Sequence, residues 1–162
     1  LAGLKASTAQ QAARLDELTA ALSGGDPVAG RQVFFGKKAS CYACHRFGSE
    51  GGDVGPNLGR IGEIRTHRDL LEAVVFPSAS LARGFETYTV LTVDGRVATG
   101  VIDREAADAI YLRTAQRAEI RIARADIEEL APSPVSVMPQ GLDRVLSEQE
   151  LRDLLAFLKA KP

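Results

Sequence analysis

The chain has 162 residues, 45% of them apolar, with 20 Lys plus Arg against 21 Asp plus Glu for a formal net charge of −1. That length suits one domain with a sizeable insertion, and the apolar share is enough to bury a core. The balanced charge excludes a nucleic-acid footprint or a polybasic membrane anchor, and the longest apolar runs fall far short of a bilayer span.

Residues 1–22 read as a helix, with Leu1, Leu4, Leu15, Leu18 and Leu22 on heptad-like positions and Thr8 and Gln11 interrupting the stripe. This helix either packs on the domain that follows or connects it to an upstream one. No signal peptide is legible, and a first residue of Leu rather than Met reads as a processed or excised piece, so export is neither read from this end nor excluded by it. Ser23-Gly24-Gly25 ends the helix. Asp26-Pro27 opens a second one, with Asp as N-cap and Pro at the first position, running through Val33-Phe34-Phe35 to Gly36. Cys41-Tyr42-Ala43-Cys44-His45 follows, then a Gly-rich loop from Gly48 to Gly59 containing Gly55-Pro56-Asn57-Leu58. A third helix is expected over Arg68 to Phe76, with Thr66 and Asp69 as N-cap and acidic partner and Pro77 as its stop.

Residues 84–130 change character. Phe85 to Val93 is β-branched, aromatic and nearly alternating, Asp94-Gly95 is a hairpin signal, and Arg96 to Asp103 reads as the return strand. Ala109 to Thr114, Glu119 to Ala123 and a short piece near Ile127 read as further strands. Such a unit is too long to be an ordinary loop. A Pro-rich loop beginning near Pro132 carries Ser136-Val137-Met138-Pro139. Ser147-Glu148-Gln149-Glu150 is a capping box that opens a final helix with Leu151, Leu154, Leu155 and Leu158 on one face.

Possible metal ligands are scarce: two Cys, two His and one Met. C-x-x-C-H is the attachment signature of c-type haem. Two thiols one turn apart reach the two vinyl groups on one porphyrin edge, and the next residue, His45, lies under the iron as proximal ligand. A dithiol redox pair leaves His45 unexplained and lacks a βαβ context. Structural zinc needs four ligands and would have to recruit the distant His67. Met138, on a loop braced by Pro139, fits a distal thioether ligand; His/Met ligation raises the potential and closes the iron to other ligands. His67, at the first position of the third helix, is the rival distal ligand.

The order of these elements resembles class I cytochrome c: N-terminal helix, C-x-x-C-H, Gly-Pro-x-Leu loop, helix, Met loop, C-terminal helix. Gly30 and Phe34 resemble the positions where the first helix of that fold crosses the last, with Phe157 as aromatic partner. Pro56 resembles the proline whose carbonyl accepts the bond from Nδ1–H of the proximal histidine, and Arg60 the residue that neutralises a haem propionate. More narrowly, residues 26–160 are similar to a C-x-x-C-H haem-binding domain family found at the C-termini of large exported bacterial dehydrogenase-like proteins. The shared run is Gly30, Val33-Phe34, Cys41 to His45, Gly51 to Leu58, Phe76-Pro77-Ser78-Ala79, Asp94-Gly95, Gly100 and Ser136 to Pro139.

The resemblance implies a mainly α cytochrome c fold over 26–83 and 131–162, a helical extension or linker over 1–25, and an inserted antiparallel β unit over 84–130, an Sm-like or SH3-like small barrel or sheet. It implies one covalent haem c held by Cys41, Cys44, His45, Pro56, Arg60 and Met138, with His45 and Met138 on the iron. The implied function is electron transfer rather than catalysis, outside the cytoplasm, with a redox partner or an upstream dehydrogenase domain; the acids that balance the arginines of the β unit argue against nucleic acid as a partner. Two other readings stand beside it: an open-site or bis-His haem domain with sensing or peroxidase-like activity, and a haem-free interaction module in which the β unit is the working part.

Overall fold

The structure, a computed structural model, describes residues 8–160. Leu1 and Leu4, part of the expected first stripe, lie outside the described residues. Among those described, six helices flank a five-stranded antiparallel sheet inserted between them.

Helix α1 (Thr8–Ala21) is not a free connector: Leu15, Leu18 and Leu22 are buried in one core with residues of four other segments. Arg68 holds it from outside, 2.8 Å from Asp16. Helix α2 (Pro27–Phe35) starts as its sequence dictates, with the Asp26 carboxylate accepting from Val28 N–H at 2.8 Å. It crosses α6 (Glu148–Lys159) at Gly30. A methyl group on Gly30 would run into the Asp153 carbonyl and stand 2.7 Å from Phe157 Cβ, so only glycine permits this approach. Around the crossing, Phe34 lies 5.7 Å from Phe157 and 5.8 Å from Phe47, ring centre to ring centre. The buried Asp153 carboxylate joins the two helices by accepting from Asp26 N–H and from the Gln149 amide, both at 2.8 Å.

The C-x-x-C-H segment begins as a single 3-10 turn, Cys41–Ala43, and continues into a two-residue ladder, β1 (Arg46–Phe47) with β2 (Glu50–Gly51). A short helix α3 (Ile61–Ile64) follows. Helix α4 (His67–Val75) has the expected capping box: Asp69 N–H donates to Thr66 Oγ1 and Thr66 N–H to the Asp69 carboxylate. Leu70, Leu71, Val74 and Val75 form its buried face.

The inserted strands are β3 (Thr87–Thr92), β4 (Val97–Glu105), β5 (Ala109–Arg113), β6 (Glu119–Ala123) and β7 (Ile127–Pro132). They lie in the order β6-β5-β4-β3-β7, so the last strand returns to pair with the first. Val90, Ile110, Leu112 and Ile122 make a second buried cluster of their own. A further short helix, α5 (Leu142–Val145), precedes α6, whose capping box is closed by Ser147 and Glu150 as the sequence signals.

Candidate functional site

One cavity of about 500 Å³ opens between the helical core and the sheet. Its wall is largely apolar, built from Phe34, Leu70, Val74, Phe76, Leu154 and Leu158 among others, and Cys41, Cys44, His45 and Met138 all line it. Protein interiors pack at near-crystalline density, with voids rarely exceeding a water molecule. An apolar space of this size, with four soft or nitrogen donors on its wall, has the dimensions and lining of a bound organic group.

The segment that brings Cys41, Cys44 and His45 together is held by backbone. Ser40 turns the chain in the left-handed region (φ 51°), and His45 N–H donates to Cys41 C=O at 2.9 Å. The Gly-rich loop then runs back along it: Gly52 N–H donates to Tyr42 C=O at 2.8 Å, Gly55 N–H to Cys44 C=O at 2.9 Å, and Leu58 N–H to Arg46 C=O at 2.8 Å. Gly55 sits against the imidazole itself. A Cβ there would run into His45 Cε1 and stand 2.8 Å from Nδ1 and 3.0 Å from Nε2.

His45 Nδ1 is 2.9 Å from the Pro56 carbonyl. A carbonyl only accepts, so Nδ1 carries the proton and Nε2 keeps its lone pair. Burial pushes the His45 pKa below the ordinary histidine value, against the opposing pull of the Pro56 carbonyl. The bond to Pro56 selects the tautomer in which Nε2 is free to face the cavity. Cys41 and Cys44 are free thiols. Burial pushes Cys41 up to about 11, with its own backbone bond opposing and Cys44 adding to the rise. Cys44 is also raised by burial, less the lowering effect of the Arg117 charge.

Met138 is positioned by a chain of serines. Ser78, just past α4, accepts from Ser136 N–H through its hydroxyl at 3.0 Å, and the Ser136 hydroxyl accepts from Met138 N–H at 3.1 Å. The Met loop is thus fastened to the Phe76-Pro77-Ser78 corner, which also lines the cavity through Phe76 and Pro77.

Two expected residues sit elsewhere. Arg60 has a side chain 79% exposed and pairs with Glu63 at 2.7 Å, one turn along α3; it is not on the cavity wall. The arginines that do line the cavity are Arg65 and Arg117, which no motif marked. His67 begins α4 and is likewise off the wall. Among the described residues no three Cys, His, Asp or Glu side chains converge as a metal-holding group, so a zinc site has no ligand set here.

The sheet reaches the site through Arg113. Its guanidinium pairs with the Asp53 carboxylate, donates to Asp53 C=O at 3.2 Å, and pairs with Asp103 at 3.0 Å. Asp53 also lies 3.6 Å from Arg46. The loop that carries Gly55 and Pro56 is therefore clamped by the inserted strands. Val101, Ala115 and Arg117 extend the cavity wall from the same unit.

No helix among the described residues is long and apolar enough to cross a membrane. No family model matches the chain, and no curated protein matches it.

Proposed function

We propose that this chain is a c-type cytochrome domain carrying one covalently attached haem and serving one-electron transfer. The observation that carries the proposal is a single apolar cavity with Cys41, Cys44, His45 and Met138 on its wall and His45 Nδ1 bonded to Pro56 C=O. The donor set fits the group. Two thiols at C-x-x-C spacing would form the two thioether links, and the neutral imidazole Nε2 and the thioether on its pinned loop would be the protein's ligands to the iron. When bound, the haem supplies an Fe(III)/Fe(II) couple.

The protein's own part is orientation and exclusion. Pro56 C=O fixes the tautomer and plane of His45 and raises the basicity of Nε2. Gly55 leaves room for the ring. The Ser78–Ser136 bonds hold Met138 at the wall. Leu70, Val74, Leu154 and Leu158 keep water off the interior, and a low-dielectric surrounding with thioether ligation favours the reduced state.

The helical part supports a likeness to class I cytochrome c through the Gly30–Asp153 crossing and its Phe34, Phe47 and Phe157 cluster. The strand order β6-β5-β4-β3-β7, with a 3-10 turn at Arg124–Asp126 before the last strand, supports the small-barrel reading of the insertion. With that family likeness come an exported location and a redox partner or fused dehydrogenase as donor.

The test is to produce the chain with c-type haem maturation and ask whether haem stays with the denatured polypeptide. Retention in the wild type, and its loss when Cys41 and Cys44 are both changed to Ala, supports the reading. Carbon monoxide binding readily to the reduced protein would replace electron transfer by an open-site, ligand-binding role. Absence of covalent haem would refute the proposal.

A further inference from the structure

The β3–β4 and β5–β6 connections are two copies of one turn. In the first, Thr92 N–H donates to Arg96 C=O at 2.9 Å, Gly95 N–H to Thr92 C=O at 2.8 Å, and Arg96 N–H to Thr92 Oγ1 at 3.1 Å. In the second, Thr114 N–H donates to Ala118 C=O at 3.0 Å, Arg117 N–H to Thr114 C=O at 2.9 Å, and Ala118 N–H to Thr114 Oγ1 at 3.4 Å. Both threonines are buried. The residue that closes each loop is left-handed, with φ 82° at Gly95 and φ 65° at Arg117. This position of a three-residue hairpin loop belongs to glycine, because a Cβ in that conformation crowds the following carbonyl. The first turn obeys the rule and the second breaks it. Backbone strain of this kind clusters at functional sites.

Among the described residues no bond within the fold employs the Arg117 side chain, whose charge acts on the Cys44 thiol. Of the six arginines between residues 96 and 124, Arg96, Arg104, Arg113, Arg121 and Arg124 are each ion-paired. Arg117 has no ion pair or hydrogen bond from its side chain among the described residues, and it is exposed. Yet it lines the cavity, on the wall that also holds Cys44. An exposed, unpaired guanidinium on an unfavourable backbone, lining the cavity, is free to meet an anion.

We infer that Arg117 is a docking cation for the carboxylate-bearing surface of a redox partner that approaches the cavity from its Cys44 side; this rests on the proposed function. The haem's own carboxylates are a poorer fit. In a protoporphyrin the propionates occupy the half of the ring away from the vinyl groups that the thiols take. The whole chain is nearly neutral, so one local cation acts on orientation and encounter at close range rather than by long-range steering.

The test uses the full haem-loaded chain and its Arg117→Gly and Arg117→Gln variants. The reduced protein is oxidised by ferricyanide, an anion, and by tris(phenanthroline)cobalt(III), a cation. A change in potential moves both rates in one direction, whereas a docking charge separates them. At low ionic strength both variants should react about three- to tenfold more slowly with ferricyanide and no more slowly with the cobalt complex. The difference should fade as salt shortens the Debye length. Independently of the haem, Arg117→Gly should melt about 2–4 °C higher than wild type, because glycine relieves the left-handed strain. Equal slowing with both oxidants, or a lower melting temperature for Arg117→Gly, would overturn the inference. A wild type without covalent haem would instead defeat the proposed function and this inference with it.

Discussion

Replacing Gly55 by Ala tests the geometry around His45 most directly. Gly55 has no positive φ, so alanine is compatible with the backbone and the cost is steric. The new methyl would press on the face of an imidazole already fixed by its bond to Pro56. Either the loop lifts from Cys44 C=O or the ring turns away from Pro56 C=O. Over-packing of this kind costs about 1–3 kcal/mol. Breaking the Nδ1–Pro56 bond at a part-buried site adds roughly 1 kcal/mol or more. The sum, about 2–4 kcal/mol, corresponds to a fall in melting temperature of about 4–16 °C for a chain of this size. The assay is thermal unfolding followed by circular dichroism, with the visible spectrum recorded on the same haem-loaded samples. The variant should melt lower and, if the proposed haem is held by His45, change the visible spectrum. A variant that melts within a degree of wild type with an unchanged spectrum would show that Gly55 does not press on the His45 ring, and the account of how the ring is held would fall.

Three further outcomes are expected. If the proposed haem is bound with Met138 on its iron, Met138→Ala should abolish the weak sulfur-to-iron band of the ferric protein in the far red and let the reduced protein bind carbon monoxide; a spectrum identical to wild type would place the distal ligand elsewhere. Asp153→Ala should cost about 1–3 kcal/mol in urea unfolding, because Asp26 N–H loses its acceptor at the α2–α6 crossing; no loss would mean that water replaces the carboxylate freely. The third concerns pH. Arg113, first by its hydrogen bond and then by its charge with that of Arg46, holds the Asp53 carboxyl below its ordinary value of 3.8. A depressed folded-state pKa contributes stability that is present above 3.8 and is lost as pH falls through the lower folded value. The stability gap between wild type and Asp53→Asn should therefore be present at neutral pH, shrink once the medium is more acidic than about 4, and narrow with added salt, Asp53 being half exposed. A gap that ignores both pH and salt would exclude the Arg113–Asp53 pair as its source.

Much of the chain was legible because its signals are local. Asp26-Pro27, the Thr66–Asp69 box and the Ser147–Glu150 box each declare a helix start within four residues, since a cap satisfies backbone groups of its own first turn. The strands announced themselves by alternation and by Asp94-Gly95. Cys41, Cys44 and His45 lie within five consecutive residues, so their meeting on one wall is also a local matter. The short helices Ile61–Ile64 and Leu142–Val145 were not legible: a single turn has too few residues for periodicity, and its formation depends on tertiary support.

The tertiary structure decided what depends on distant residues meeting. It put Met138 on the wall shared with Cys41, Cys44 and His45, and left Arg60 outside, turned toward Glu63. It docked α1 on the core, where an amphipathic stripe alone does not say which surface covers it. It revealed Arg113, whose partner Asp53 lies 60 residues earlier, and Arg117, whose sequence neighbourhood is that of an ordinary hairpin turn. Caps and turns are satisfied within a few residues and so are written in the sequence; a cavity is the space left between elements, and only their packing defines it.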